Sequence, residues 1–279
     1  MKKVWQIILI GLALAVFYNL FLFLVPIKRN AYYNNDERAE AYVFSKQKFD
    51  TVTVGSSLCG AFEGRSLFKK DYFNLFMPHT GSCTGVEIIM RRKKIPVELF
   101  LEINHIDRGI DTAVIKDVFG TPYYKYEYYL PVLQKKGKLL INLLDKTKPP
   151  VSTVNKVRPP AELYNKLLAS AQKEWSDYPD KRSFDNQYDH LSASLDFIAS
   201  KGCKIYFFEM PMDSSLRHSK LITYQRARMT MLARQKNYTF IPADTSRAYN
   251  TGDGIHLLQA DRNIYVKYLR TAISASNKK

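Results

Sequence analysis

The chain has 279 residues, 46% of them hydrophobic and 24% charged, with a formal net charge of +16. That length suits one sizeable α/β domain with an anchor and excludes two comfortable globular domains, while the composition excludes wholesale disorder. The charge favours acidic partners, but the basic residues are scattered in runs such as Arg91–Lys94, Lys135-Lys136 and Lys146–Lys148 without zinc-ligand spacing or a stacking motif, so a solvated basic surface is expected and nucleic-acid binding is not.

From Val4 to Pro26 the chain is almost wholly apolar, broken only by Gln6, Tyr18 and Asn19. About twenty such residues cross a bilayer core as one helix, so residues 1–29 read as an N-terminal membrane anchor with its span at 4–26. A cleaved signal peptide is the rival. Cleavage near Ala13-Leu14-Ala15 would leave Val16–Val25 as an exposed apolar tail, which favours an uncleaved anchor. Lys2 and Lys3 precede the span and Lys28 and Arg29 follow it, so positive charge does not set the orientation.

Asn30–Lys48 is polar and Tyr-rich and reads as a stalk into a domain spanning residues 30–279. Phe49–Val54 is a β-branched run ending at Gly55-Ser56-Ser57, as a buried first strand followed by a tight turn would be. Tyr72–Phe76 is a second short strand leading into the loop Met77–Gly81. Thr84–Met90 has a helical pattern closed by the basic run, and Val97–Ile103 is a third strand ending at Asn104-His105.

Residues from about 111 to 183 break this rhythm. They hold the cluster Tyr123–Tyr129 and the pairs Pro149-Pro150 and Pro159-Pro160, and read as an insertion over one end of the sheet. The tyrosines suit stacking on sugars or a membrane surface, with packing inside the insertion the preferred role. Alternation then resumes: a helix at Leu191–Ser200 stopped by Lys201-Gly202, a strand at Lys204–Glu209, a helix at Leu221–Lys236, a strand at Tyr238–Ile241 and a terminal helix over about 260–273. Strands alternating with helices imply an α/β fold with a mostly parallel sheet covered on both faces. Working groups in such sheets gather on loops beyond the strand C-termini, which is where Ser57, Gly81, Asn104 and Asp253–His256 fall.

A serine in a strand-to-helix turn can present its hydroxyl above the sheet, but it needs a base to become a nucleophile. Asp253-Gly254-Ile255-His256 supplies a carboxylate and an imidazole from one loop, the carboxylate able to fix the ring's tautomer while the other nitrogen faces the serine. Ser57, Asp253 and His256 are therefore the candidate catalytic residues. Among other candidates near the strand ends, His79 and Glu209 are possible substrate contacts, each with ordinary polar packing as the alternative. His190 and His218 have no partner pattern. No metal-ligand cluster is present in the sequence, and no cofactor is expected. Cys59 and Cys83 each follow a proposed active-site loop. A bridge between them is open, with two buried thiols favoured.

Gly55-Ser56-Ser57-Leu58, then Asn74 and Gly81, then Asn104, then Asp253-Gly254-Ile255-His256 follow one another in an order that resembles the SGNH (GDSL-like) hydrolase superfamily from about Phe49 to Ile273, the insertion apart. The resemblance implies a three-layer flavodoxin-like domain. It also implies Ser57 as nucleophile, His256 as base, Asp253 as its orienting acid, and an oxyanion hole completed by the Gly81 amide and the Asn104 side chain. There are departures. Ser56 stands where the family has aspartate and is a rival nucleophile or substrate contact. Glu102-Ile103-Asn104-His105 replaces Gly-x-Asn-Asp, so that His105 can replace or assist Asn104, and Gly85 competes with Gly81.

Single-anchor members of that superfamily look like envelope-polysaccharide O-acetyltransferases or partners of multispanning acyl exporters. The expectation is O-acyl (acetyl) transfer to a cell-surface polysaccharide, by a single-pass protein of the cell membrane whose catalytic domain faces outward. The alternatives are an esterase of acylated glycans or lipids and an inactive anchored accessory protein.

Overall fold

The computed structural model describes residues 2–24, 35–62, 71–134 and 157–276. Lys28 and Arg29, the runs Lys135-Lys136 and Lys146–Lys148, and the pair Pro149-Pro150 lie outside the described residues. The chain forms two compact units, Met1–Ser45 with Ala113–Val151 and Lys46–Thr112 with Ser152–Lys279. The expected insertion at 111–183 is thereby divided between them.

In the first unit, α1 (Lys2–Leu24) covers residues 4–24 of the expected span at 4–26, Val25 and Pro26 lying outside the described residues, and Lys2–Leu22 is long and apolar enough to cross a membrane. Among the described residues it is the one helix that is so. The expected stalk instead holds a helix, α2 (Asn35–Val43), which buries Ala39, Tyr42 and Val43 and carries Asp36 and Glu37 in its first turn, where the helix dipole favours acidic groups. Next in this unit come α4 (Thr112–Phe119) and the short α5 (Tyr124–Glu127). The Tyr124 ring lies 5.8 Å from Phe44 and 5.2 Å from Phe119, so part of the tyrosine cluster does pack inward.

The second unit is built on five strands: β1 (Thr51–Gly55), β2 (Tyr72–Phe76), β3 (Glu98–Glu102), β4 (Lys204–Phe208) and β5 (Thr239–Ile241). Their order is β2-β1-β3-β4-β5 and every pair is parallel. Its helices are α3 (Ser82–Arg92), α6 (Ala161–Glu174), α7 (Lys181–Ser200), α8 (Lys220–Lys236) and α9 (Gln259–Ser276). The α/β fold is as the sequence predicts, with strand ends within a residue or two. The order is the flavodoxin-like one, whose switch point lies between β1 and β3.

Both faces of the sheet are covered, which is why β1 is buried at all five positions. Val54 pairs in register with Leu101, and Leu101 with Phe207, so these share a face. On that face α3 comes so close that a Cβ on Gly85 would lie 2.8 Å from Val54 Cγ1. Phe208 points the other way and meets Phe62, which stacks on Tyr265 of α9.

The expected helix at Leu191–Ser200 begins ten residues earlier, at Lys181. Its first half is mostly polar, but Phe184, Tyr188, Leu191, Leu195 and Ile198 are all buried at helical spacing. Asp180 caps it, its carboxylate accepting the Ser183 N–H at 2.7 Å.

Gly85 is thus fixed by helix–sheet contact. Gly85→Ala should lose about 1–3 kcal/mol of stability by overpacking against Val54 Cγ1 at 2.8 Å and Leu75 O at 3.3 Å. A lower denaturant midpoint at unchanged slope is the expected readout, and an unaltered midpoint would refute this packing account.

Candidate active site

The parallel register ends β1, β2 and β3 together, at Gly55, Phe76 and Glu102, and β4 beside them at Phe208. The loops leaving these ends carry Ser57, Met77–Gly81, Asn104-His105 and Glu209. The turn after β1 is held from below. Gly55 has no room for a side chain: a Cβ there would lie 2.4 Å from Cys59 Sγ and 2.8 Å from Glu102 Oε2. The Ser56 N–H donates to Glu102 Oε2 at 2.5 Å, and Ser56 Oγ accepts the Leu58 N–H at 3.2 Å, capping a 3₁₀ helix over Ser57–Ala61. Ser57 opens that helix, half-buried, while Ser56 is fully buried. Ser56 is therefore a cap and neither a rival nucleophile nor a substrate contact.

Across 199 residues of sequence, His256 Nε2 lies 2.9 Å from Ser57 Oγ. His256 Nδ1 lies 2.6 Å from Asp253 Oδ2. The other oxygen, Oδ1, accepts the N–H groups of Ile255 at 3.0 Å and His256 at 2.7 Å. The carboxylate is thus bonded on both sides and orients the ring it faces. Burial pushes the Asp253 carboxyl up, but the hydrogen bond and charge of His256, with the two backbone amides, outweigh it and hold it below the usual carboxylate value.

The loop itself is braced by part of the stretch expected to be insertion. Tyr164 of α6 donates its hydroxyl to Asp213 Oδ2 at 2.7 Å and sits 3.0 Å from Thr251 Oγ1, which accepts the Gly254 N–H at 3.1 Å. The Arg158 guanidinium lies over the Tyr164 ring at 4.3 Å. Ala171 and Trp175 pack with Met212, Leu216, Leu221 and Ile222 beneath.

The two residues expected to complete an oxyanion hole have other partners. Gly81 N–H donates to Met77 O at 3.0 Å. The Asn104 carboxamide pairs with the Met210 backbone in both directions, donating at 3.0 Å and accepting at 2.8 Å, which leaves its second N–H. The Ser57 amide, first in its 3₁₀ helix, has no intrahelical acceptor. His105 is buried edge-on to Trp175 at 5.2 Å, and its Nδ1 makes no hydrogen bond among the described residues. Burial, then the charges of Arg108 and His256, push its pKa well down, so the ring is neutral. Exposed His79 has φ 68° at the third position of the turn Met77–Thr80, after Pro78, where a type II turn ordinarily takes glycine.

Glu209 is not a substrate contact. Its buried carboxylate is closed by Arg226, which donates through two nitrogens at 2.7 and 2.6 Å. All three cysteines are free and buried, Cys59 with Sγ 3.5 Å from Glu102 Oε2. Among the described residues, no three His, Cys, Asp or Glu side chains gather as metal ligands.

Glu102 is the residue that sequence reasoning passed over. A carboxylate closing the otherwise apolar run Leu99-Phe100-Leu101 was the available signal. Burial raises its pKa, and the hydrogen bonds from Ser56 and Cys59, with the charge of Arg108, pull down without cancelling that rise. With the folded value above the unfolded one, ionised Glu102 costs stability. The cost is absent below the unfolded value and grows as pH rises towards the folded one. Glu102→Gln keeps an acceptor for the Ser56 amide. The variant should therefore gain stability relative to the wild type as pH rises from about 4, near the unfolded glutamate value, towards neutrality. Denaturant titrations across that range check it, and a pH-independent difference would refute it.

Compared with known proteins, the chain matches no family model and none of the curated proteins. A solved structure from Bacteroides fragilis NCTC 9343, provisionally named as an acylhydrolase, is similar over 87% of this chain and 94% of that one, at 12% identity and a TM-score of 0.43.

Proposed function

We propose that the chain is a serine-dependent acyl-ester enzyme, and that its reaction is O-acyl, most simply acetyl, transfer to a cell-surface polysaccharide. The observation that carries the serine mechanism is the relay from Ser57 Oγ through His256 to Asp253, at 2.9 and 2.6 Å. Both distances lie within the reach that proton transfer between nucleophile and base requires.

In the first half-reaction Ser57 Oγ attacks the acyl carbonyl carbon and its proton passes to His256 Nε2. The tetrahedral intermediate then collapses, the C–O bond to the donor alcohol breaks, and His256 returns the proton to that leaving oxygen. Ser57 is left as an ester. In the second half-reaction an acceptor hydroxyl gives its proton to His256 Nε2 and attacks the carbonyl carbon of the Ser57 ester; the C–O bond to Ser57 then breaks and His256 returns the proton to Ser57 Oγ. Asp253 keeps the ring in the tautomer that leaves Nε2 facing Ser57. The Ser57 amide and the second N–H of Asn104 are the candidate donors to the developing oxyanion. Each such donor is worth several kcal/mol, roughly 100- to 1,000-fold in rate.

The choice of a glycan acceptor at a membrane rests on the resemblance to anchored SGNH proteins, together with the apolar span of α1 and the net charge of +16. The same analogy suggests an outward-facing catalytic unit and a multispanning acyl exporter as donor partner. The relay serves an esterase equally well, with water in place of the acceptor.

The full-length protein in detergent or nanodiscs should release acetate from an activated acetyl ester and be labelled by a fluorophosphonate. Ser57→Ala and His256→Ala should each reduce turnover about 10,000-fold or more, and Asp253→Asn by about 10,000-fold through loss of the correct tautomer. A folded wild type that neither turns over nor labels would overturn the enzymatic reading in favour of an anchored accessory protein. Adding an envelope glycan should divert acyl groups from free acid to polymer ester. Unchanged acid release with no polymer ester would leave hydrolysis as the reaction.

A further inference from the structure

The segment Thr121–Gln134 carries an outer aromatic face on a fixed frame. Its inner side is held by Glu127, whose Oε1 accepts the Thr121 hydroxyl at 2.7 Å and whose backbone carbonyl accepts the Gln134 side chain at 2.5 Å. Backbone bonds from Tyr129 and Leu130 to Tyr126 O, at 2.9 and 2.8 Å, continue the turn. Tyr123, Tyr126 and Tyr129 recur every third residue and so share one side of it. They are 58%, 60% and 67% exposed, and the adjoining Leu130 is 40% exposed.

The same segment is bonded to α1. The Val132 N–H donates to Asn19 Oδ1 at 3.1 Å, and α1 packs against Pro131–Leu133. Asn19 lies two residues before Phe21, the last of the exposed apolar side chains that run from Val4 along the described part of α1, and Leu22 just beyond it is buried. At the rise of an α-helix that is about 3 Å from the end of this exposed apolar stretch. An amide side chain at such a depth needs a partner, and the Val132 amide supplies one. The bond also fixes the level of the tyrosine turn, at the boundary between hydrocarbon and headgroups. Tyrosine is suited to that boundary because its ring is apolar and its hydroxyl is polar.

We propose that Tyr123, Tyr126, Tyr129 and Leu130 form an interfacial surface seated in the headgroup layer of the bilayer that α1 crosses. This rests on α1 being the span. The first unit then lies on the membrane by two contacts, a crossing helix and an aromatic face beside it.

The test uses the full chain in phosphatidylcholine–phosphatidylglycerol vesicles and reads tryptophan depth. In Trp5→Phe the remaining native tryptophan is Trp175, which is buried in the second unit. Adding Tyr126→Trp to that background should give blue-shifted emission, quenched at least twofold more strongly by lipids brominated near the ester end of the chain than by lipids brominated near its terminus. Trp5→Phe alone should be unquenched. Tyr123→Trp and Tyr129→Trp in the same background should behave like Tyr126→Trp, and serve if that variant fails to fold. If Trp5 of the wild type is quenched while all three introduced tryptophans match the control and stay open to acrylamide, the surface is refuted and the anchor stands. Rings that faced a soluble glycan or another protein would give that result. If Trp5 itself is not quenched, the anchor fails and the surface fails with it.

Discussion

Glu102 holds the turn on which the candidate site depends. Ser57 can face His256 because the chain reverses sharply after β1. It reverses there because the Ser56 amide, which would otherwise be buried without an acceptor, finds the Glu102 carboxylate at 2.5 Å. The same carboxylate lies against the space where a Gly55 side chain would be and 3.5 Å from Cys59 Sγ. The main-chain carbonyl of Glu102 accepts the Ser82 hydroxyl at the start of α3. One residue at the end of β3 therefore ties together the loop after β1, the helix after β2 and its own strand. That coupling is possible because the parallel register ends β1, β2 and β3 at one level. A buried carboxyl is a costly means of doing this, and its raised pKa expresses the cost.

The elements of the sheet were legible because both faces are covered. Val52, Val54, Leu99, Leu101 and Ile205 form apolar runs too short for helices, closed by glycine or polar residues. Ser57 and His256 were legible for another reason. Asp253 and His256 are near in sequence, and Ser57 follows a strand that ends in glycine, so local chemistry marked each. The pairing at 2.9 Å across 199 residues is a product of topology, and only the order of motifs hinted at it.

What was not legible was set by non-local partners. The polar half of α7 was not read as helix because single polar residues outnumber Phe184 and Tyr188 there, yet two buried rings at helical spacing suffice once α3 packs against it. Glu209 looked available because nothing in its neighbourhood announces Arg226, one helix later. Tyr164, within the expected insertion, carried no signal of its own although it fixes the loop that carries His256, since its partners Asp213 and Thr251 are 49 and 87 residues away. Asn104 was picked out as a donor to substrate, but the partner it has found is the Met210 backbone, 106 residues on.

The turn Met77–Gly81 bears most on how an oxyanion would be bound. For the Gly81 amide to serve one, it must release or share its bond to Met77 O, at a net cost of about 1 kcal/mol. The turn already carries strain, because His79 occupies φ 68° where glycine is usual, and such a residue costs on the order of 1–3 kcal/mol. Nor can the turn slide toward β3, since even a Cβ on Gly81 would come within 2.5 Å of His105 O. On the proposed reading, a substrate carbonyl at Ser57 would draw the Gly81 amide from a strained turn with one direction closed. The Asn104 carboxamide is held by two bonds to Met210, and it keeps its second N–H without any rearrangement. If the hole draws on one of these two donors before the other, the asymmetry in rearrangement favours Asn104, with Gly81 engaged only when the developing charge repays the bond it gives up.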